Sequence, residues 1–322
     1  MKRKRIKAAV CAAVMAFTLF GSLCPVDHHF IRETSVTASA EAAIWDGTED
    51  TAWYYREHDV VVSENGERIA IFNIRTAEEL AGLAKLVRNG NSMKNTMINL
   101  VSDVTLNDTT NFDNWDEQPP ANNWTAIGAV PMEAPNVNVV MTVQPECRNT
   151  VFAGMFNGNG HTISGMYSLH HNYAGLFART SGIITNVIVK DSYIQCINTQ
   201  KVESGDTALW EACAGGITAI CDRGVISHCE FDGKIFASGL NRVGYGTHGS
   251  FAGGIVGKFS DDESGVAAVV MMFALVPAGF LINPALFLTA SGQQVITDPG
   301  IYSCINRGSI YTEHGTDENG AG

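Results

Sequence analysis

The histidines are the first residues in this sequence whose type could carry out chemistry. His161 ends the run Asn157-Gly158-Asn159-Gly160-His161, where a histidine could transfer a proton or bind a ligand. No carboxylate stands at a defined spacing from it, so the sequence predicts a turn-stabilising role instead. His170 and His171 are expected to be solvated, because the further ligands of a metal site cannot be placed.

Two aspartates are the acidic residues that could serve a glycan-cleaving site. Enzymes that cleave polysaccharides use a pair of carboxylates, or a basic residue with bound calcium. Asp191 and Asp232 end equivalent segments of the chain and could lie near each other on one face. Acidic residues at turns are usually solvated, so no residue is assigned as catalytic, cofactor-binding or metal-binding, and calcium stays open without a placed site.

Aromatic side chains offer a different chemistry, stacking on sugar rings. The candidates are Trp115, Trp124, Trp210 and Tyr245. Trp124 is predicted to belong to the core.

Eight cysteines occur in the chain, two of them among the first forty residues. The others are Cys147, Cys196, Cys213, Cys221, Cys229 and Cys304. No pair has the spacing of a metal site. A disulfide between Cys213 and either Cys221 or Cys229 is one reading, and buried reduced thiols are the other.

The first forty residues have the composition of an export signal. Basic residues from Lys2 to Lys7 precede an apolar run from Ala8 to Leu23, and Ala38-Ser39-Ala40 offers a cleavage site before Glu41. Residues 1–40 are therefore predicted to be a signal peptide.

Two alternatives to a cleaved signal peptide stay open. The apolar run could be an uncleaved membrane anchor, although it falls just short of the ~20 residues that span a bilayer. Cys24 could instead be the lipidated cysteine of a lipoprotein. Leu23 directly before it argues against this, because lipidation signals have a small residue at that position.

The charge of the chain restricts its partners. It carries 21 Lys and Arg against 33 Asp and Glu, a net charge of −12, which becomes −16 without residues 1–40. Such a chain repels polyanions, which argues against nucleic acid and anionic membrane surfaces. Neutral glycans, cations and basic proteins remain compatible with it.

A short glycine-containing block recurs along the chain. Ala174–Phe177, Ala214–Ile217 and Ala252–Ile255 are spaced by 40 and 38 residues. Thirty-two glycines against nine prolines favour ordered, turn-rich structure over a linker composition.

A second block follows each of these and has the pattern of short β-strands. The blocks begin at Gly182, Gly224 and Gly300, and their β-branched residues alternate with polar ones. The glycines are expected to supply tight corners, through positive φ or close backbone approach. Stacking would form two inward ladders, Val187 with Cys229 and Cys304, and Ile184 with Ile226 and Ile301.

One helix is predicted upstream of the repeats. Thr76 and Glu79 form a capping box, apolar residues follow at helical spacing, and Gly90 ends the segment. The pattern predicts a helix over residues 77–88, with strands at 97–101 and 104–106. The fold class is therefore all-β, a parallel β-helix (solenoid) with an N-terminal capping α-helix.

Several runs together resemble the GLUG-motif proteins, which are extracellular proteins of bacteria. The runs are Thr76–Ala84, Trp124–Gly128, Phe152–Tyr167 and Tyr173–Phe177. The resemblance implies a pectate-lyase-like right-handed β-helix used as a secreted or cell-surface module. It implies no shared catalytic residues, and the chain departs from the pattern after Asp262-Glu263.

The departure is an apolar insertion at residues 265–290. It is longer than the ~20 residues that span a membrane, but Pro277 and Pro284 interrupt it and no basic cluster flanks it. A folded insertion, an exposed patch for a partner or membrane surface, and a true span remain open. Ala321-Gly322 falls midway through a recurring block, so a chain truncated at its C-terminus is expected.

The sequence thus predicts a signal peptide at 1–40, a lead-in at 41–75 and repeats over 76–322. The expected function is a non-catalytic extracellular module, adhesive or a structural stalk, that binds a glycan or a surface protein. The alternatives are a polysaccharide lyase or glycoside hydrolase, and a membrane-anchored surface protein using 265–290. The oligomeric state is left open.

Overall fold

A computed structural model of the chain describes residues 43–62, 66–129, 150–198, 212–241, 250–260 and 299–316. These residues form mostly β-strands, together with one α-helix and two short 3-10 turns at Ala52–Tyr55 and Phe112–Asn114. The predicted all-β class is therefore confirmed for the described part of the chain. Features named above that fall outside these residues are the leader 1–40, Cys147, Trp210, Tyr245, Asp262-Glu263, the segment 265–290 and Ala321-Gly322.

The elements follow one another in a simple order along the chain. They are β1 (Asp59–Val62), β2 (Arg68–Ile74), α1 (Ala77–Arg88), β3 (Thr96–Leu100), β4 (Val104–Thr105), β5 (Met155–Asn157), β6 (Thr162–Ser164), β7 (Tyr167–His170), β8 (Tyr173–Ala174), β9 (Phe177–Thr180), β10 (Ile183–Thr185), β11 (Ile188–Asn198), β12 (Ala212–Gly215), β13 (Thr218–Asp222), β14 (Val225–Ser227), β15 (Glu230–Asn241), β16 (Ser250–Gly253), β17 (Val256–Ser260), β18 (Gly300–Tyr302), β19 (Ile305–Asn306) and β20 (Ser309–Thr316).

The strands pair into four sheets, and nearly every pairing is parallel. The first sheet has the order β1-β2-β3-β5-β10-β14-β18, with an antiparallel pair only at β1-β2. The second sheet joins β4, β6, β11, β15 and β19, with β7 beside β11 and β20 beside β15. The third sheet is β8-β12-β16 and the fourth is β9-β13-β17. Successive stretches of chain therefore add one strand after another to each sheet in the same direction.

The register of the first sheet places residues of the same type opposite each other on neighbouring strands. Ile184 lies opposite Ile226, and Ile226 lies opposite Ile301, as the predicted ladder requires. Ile184 and Ile226 are fully buried in the main apolar core, whereas Ile301 is 46% exposed. The register in the third sheet likewise aligns Ala174, Ala214 and Ala252.

Two glycines permit neighbouring backbones to approach closely. A Cβ atom on Gly182 would lie 2.0 Å from the carbonyl oxygen of Gly154, and one on Gly224 would lie 2.6 Å from that of Gly182. Glycine was expected here either for a positive φ or for close backbone approach, and the structure shows close approach. The residues with positive φ are instead Asn186, His228 and Ser303, at 53°, 53° and 51°.

Gly300 lies one position later in the strand register than Gly182 and Gly224. The strand register pairs Gly300 with Val225, the residue after Gly224, which agrees with the ladder of Ile184, Ile226 and Ile301. Gly300 therefore stands one residue closer to its following cysteine than Gly224 does.

Helix α1 has the bounds that the sequence predicts. The hydroxyl of Thr76 accepts a hydrogen bond from the Glu79 backbone N–H at 3.2 Å, and Gly90 has a φ of 95° after the last turn. The Glu79 carboxylate accepts from the Arg75 backbone N–H at 2.7 Å, one residue before the usual capping-box donor. The buried face of α1, including Leu80 and Leu83, packs in the main core.

Candidate functional site

The outer face of the second sheet carries several aromatic side chains that do not belong to the main core. Residues alternate along β11, so Ile194 and Cys196 point into the core while Tyr193 and Gln195 point outward. The parallel register then aligns outward residues of neighbouring strands into rows across the sheet.

The first of these, the stacked row, consists of Tyr167, Tyr193, Lys234 and Ser309. The rings of Tyr167 and Tyr193 are 5.9 Å apart and nearly parallel, and Trp115 meets Tyr167 edge-on at 6.1 Å. Both tyrosines are at least nine-tenths buried. Burial raises the pKa of each phenol, and Asp116 and Tyr167 raise that of Tyr193 further. These phenols are therefore uncharged at neutral pH.

A loop around the turn Phe112–Asn114 covers this row and is held in place by Lys234. The ammonium donates to the Asp113 carbonyl oxygen at 2.9 Å and lies 5.2 Å from the centre of the Phe112 ring. Phe112 also contacts Trp115 edge-on at 5.4 Å. The charge of Lys234 is thus used to fix the loop.

The second row, the open row, consists of Leu169, Gln195, Phe236 and Tyr311. Leu169, Gln195 and Phe236 are half-buried, and Tyr311 is 63% exposed. Adjacent strands are about 4.8 Å apart, so the row presents an amide between apolar and aromatic surfaces at regular intervals. Such a row can stack on flat apolar faces and hydrogen-bond to hydroxyl groups.

His161 does have a carboxylate partner, contrary to the expectation from the sequence. Its Nδ1 lies 3.0 Å from the Oδ1 atom of Asp103, which also accepts the Thr162 backbone N–H at 2.9 Å. The backbone hydrogen bond is the main cause of a lowered Asp103 pKa, with His161 adding to it. The pair fastens the start of β6 to the chain before β4, so the predicted turn-stabilising role fits the geometry.

The expectation that His170 is solvated is wrong. The side chain is 9% exposed, and its Nδ1 accepts hydrogen bonds from the backbone N–H groups of Asn172 and Tyr173, each at 3.1 Å. His171 is half-buried, with Nδ1 2.9 Å from the Ile197 carbonyl oxygen. Residues alternate along β7, which turns His170 toward the interior while Leu169 faces out.

Asp191 and Asp232 lie on neighbouring strands but do not face each other in the register. Asp191 is the extra residue of a β-bulge, with a φ of 47°, and Asp232 lies opposite Lys190. Both aspartates are exposed. This is the solvated arrangement that acidic turn residues usually adopt.

Of the candidate tryptophans, Trp124 belongs to the main core, as predicted. It is 2% exposed and its indole N–H donates to the Leu176 carbonyl oxygen at 3.3 Å. Trp115 is equally buried, beneath Phe112 and beside Tyr167, so it supports the stacked row but does not offer a face to a ligand.

None of the five cysteines in the described residues forms a disulfide. Of the two alternatives, the structure shows the reduced one, with Cys196, Cys213, Cys221 and Cys229 buried as free thiols. Strand alternation turns Cys213 toward an outer cluster, whereas Cys221 and Cys229 lie in the main core. The Cys229 thiol instead donates to the carbonyl oxygen of Ser227, at 3.3 Å.

A polar cleft of about 270 Å³ lies between the turn Ala52–Tyr55 and strand β2. Its lining residues are Trp53, Arg56, Glu57, His58, Asp59, Ile71, Phe72, Asn73 and Arg75. Arg56 is already paired with Glu79 at 3.1 Å and with Asp50 at 3.5 Å. Two arginines and two carboxylates leave the cleft without an excess of either charge.

Two kinds of feature are missing from the part of the chain that the structure describes. It contains no group of three or more His, Cys, Asp or Glu side chains that could hold a metal ion. It also contains no helix long and apolar enough to cross a membrane.

The open row was missed at the level of sequence. Gln195 and Phe236 stand in alternating runs, which indicate outward residues, but nothing local shows that Leu169 and Tyr311 lie beside them. Their alignment comes from pairings between strands that are far apart in the chain.

Comparisons of the chain with family models, with curated proteins and with solved structures gave no match. A functional argument for this chain therefore depends on the geometry of the described residues.

Proposed function

We propose that the chain is a right-handed parallel β-helix, exported from the cell, whose outer aromatic face binds a neutral glycan without cleaving it. The architectural part is supported by the way each stretch of chain adds strands to the same sheets, all in parallel. A stacked arrangement of this kind buries a core that no single stretch could bury alone. The resemblance to GLUG-motif proteins supports the handedness.

The observation that carries the binding proposal is the open row. Leu169, Gln195, Phe236 and Tyr311 come from four parallel strands and are at least partly exposed. Contiguous exposed apolar patches on soluble proteins often mark ligand-binding or protein-interaction sites. A glycan chain lying across the strands would place its apolar faces on Phe236 and Tyr311 and its hydroxyls near Gln195.

Charge favours a neutral ligand. The net charge of −12 disfavours polyanionic polymers, and the nearest ammonium of the face, that of Lys234, is already bonded to the Asp113 carbonyl oxygen. The phenols of the adjoining stacked row are uncharged at neutral pH, because their pKa values are raised. The face can therefore bind a ligand through aromatic stacking and hydrogen bonding but not through charge.

Export is proposed from the composition of residues 1–40, a basic segment, an apolar run and a small-residue cleavage site. It would bring the open row into contact with extracellular glycans. An N-terminal sequence of the secreted protein that begins at Glu41 would support this part.

Binding is tested with an array of neutral plant and host glycans and the double variant Phe236→Ala/Tyr311→Ala. A favourable aromatic stacking contact contributes about 0.5–1.5 kcal/mol. Losing two of them should weaken binding by about tenfold. The matched control is Tyr55→Ala, which removes a tyrosine that is 77% exposed but lies outside the open row.

Unchanged binding in the double variant, or equal loss in Tyr55→Ala, would contradict the assignment of the site. A separate assay incubates the same glycans with the protein, with and without calcium, and measures new reducing ends and unsaturated products. Turnover on any glycan would overturn the non-catalytic role and support a lyase or hydrolase instead.

A further inference from the structure

Two cysteines occupy the same position at the same corner of successive strands. Cys229 follows β14 and precedes β15, and Cys304 follows β18 and precedes β19. The pairings on either side of them are in register, Ser227 with Tyr302 before and Glu230 with Ile305 after. The two cysteines are therefore held opposite each other by paired backbone on both sides.

The two thiols make equivalent contacts, each with the carbonyl oxygen of the residue two positions before it. Cys229 Sγ lies 3.3 Å from the carbonyl oxygen of Ser227, and Cys304 Sγ lies 3.3 Å from that of Tyr302. Each thiol donates to its carbonyl oxygen, so the two side chains point the same way. Parallel strands about 4.8 Å apart fall within the range of Cα separations, ~4.4–6.8 Å, that a disulfide bridges.

We propose that Cys229 and Cys304 are an oxidation site, and that a disulfide between them ties the last described strands, β18 to β20, to β14 and β15. Cys304 is the accessible member, since it is only partly buried while Cys229 is 1% exposed. Such a link does not depend on the proposed glycan binding.

The chemistry needs an oxidant, for which a small-molecule disulfide suffices. The Cys304 thiolate attacks one sulfur of that disulfide, forming a mixed disulfide and releasing one thiolate. Cys229 then gives its proton to the released thiolate and attacks the Cys304 sulfur, which expels a second thiolate. This thiolate takes from water the proton that Cys304 gave to water when it ionised. Two protein thiols are oxidised and one disulfide is reduced to two thiols.

The local environment supports Cys304 as the attacking group. The neighbouring Cys229 thiol outweighs burial and lowers the pKa of Cys304, which favours the thiolate form that attacks a disulfide. Burial raises the pKa of Cys229 well above its usual value, so Cys229 ionises less readily than Cys304 and is the less suited of the two to attack first.

The link would secure the most exposed strand of the second sheet. Strand β20 pairs only with β15 among the described residues, and its apolar residues Ile310 and Tyr311 are 40% and 63% exposed. A covalent bond at Cys304 holds the start of this segment against its neighbour.

The experiment treats the full chain with oxidised glutathione and maps its peptides without reduction. The expected product is a peptide pair joined through Cys229 and Cys304, lighter by two hydrogens than the separate peptides. Adding reductant should lower the Tm of the oxidised protein by on the order of 5 °C or more. The variant Cys304→Ser should lose both the linked pair and the Tm shift.

The matched control is Cys221→Ala, which removes another core thiol, one whose pKa is raised by burial to about 12. It should form the same linked pair as the unsubstituted chain. Both thiols remaining reduced, or a disulfide of either one with a different cysteine, would overturn the proposal. The peptide mapping uses the unsubstituted chain. It therefore tests the proposal even if one of the variants fails to fold.

Discussion

Contact between backbones fixes the identity of single residues such as Gly182. A Cβ atom at this position would lie 2.0 Å from the Gly154 carbonyl oxygen, a distance that only a shift of the backbone could relieve. We therefore expect Gly182→Ala to lower the free energy of unfolding by roughly 3 kcal/mol, as overpacking does in rigid interiors. Urea unfolding followed by circular dichroism measures this.

The control for this substitution is Gly160→Ala. Gly160 has a φ of 78° but no atom within 4 Å of its would-be Cβ, so only backbone strain opposes alanine there. That strain costs about 1–2 kcal/mol. Equal losses in the two variants would show that close backbone approach is not what requires glycine at residue 182.

At the scale of residues, the sequence predicted the burial of single side chains better than it predicted which side chains contact each other. The core position of Trp124 followed from the stretch in which the chain resembles GLUG-motif proteins, whereas the Asp103 partner of His161 lies 58 residues away in the chain. No local spacing encodes such a pair, because the strand register that brings the two together is a property of the fold. The same holds for Leu169 and Tyr311 in the open row.

Helix α1 was predictable because its signals are local. Thr76, Glu79 and Gly90 mark its ends within the segment itself, and the structure starts and stops the helix at the predicted residues, 77 and 88. The strands at 97–101 and 104–106 were also placed to within one residue. Corner positions were harder, since Asn186, His228 and Ser303 adopt positive φ without being glycine.

The cap of α1 gives the prediction at this scale. Replacing Thr76 by alanine removes the acceptor of the Glu79 N–H, and we expect it to lower the free energy of unfolding by about 1 kcal/mol. Thr76→Ser keeps the hydroxyl and should lose less than half as much. Thermal unfolding of the two variants side by side measures the difference, and equal losses would assign the effect to the threonine methyl group instead.

For the whole molecule, the parallel pairings explain why like residues recur at intervals of about 40 residues. The sequence showed this recurrence and the ladder of Ile184, Ile226 and Ile301, and the strand register confirms that ladder. In the proposed β-helix each layer is stabilised by its neighbours, so the cost of a core substitution depends on how many neighbours surround it.

The ladder Ile184, Ile226, Ile301 allows a direct test of that dependence. Ile184 is fully buried between layers, and Ile184→Ala should lower the free energy of unfolding by about 2–5 kcal/mol. Ile301 fills the same ladder position but is 46% exposed, so Ile301→Ala should cost less than about 1 kcal/mol. The two variants remove the same atoms, and urea unfolding compares them directly. Similar losses at both positions would argue that the strands do not stack as successive layers of one core.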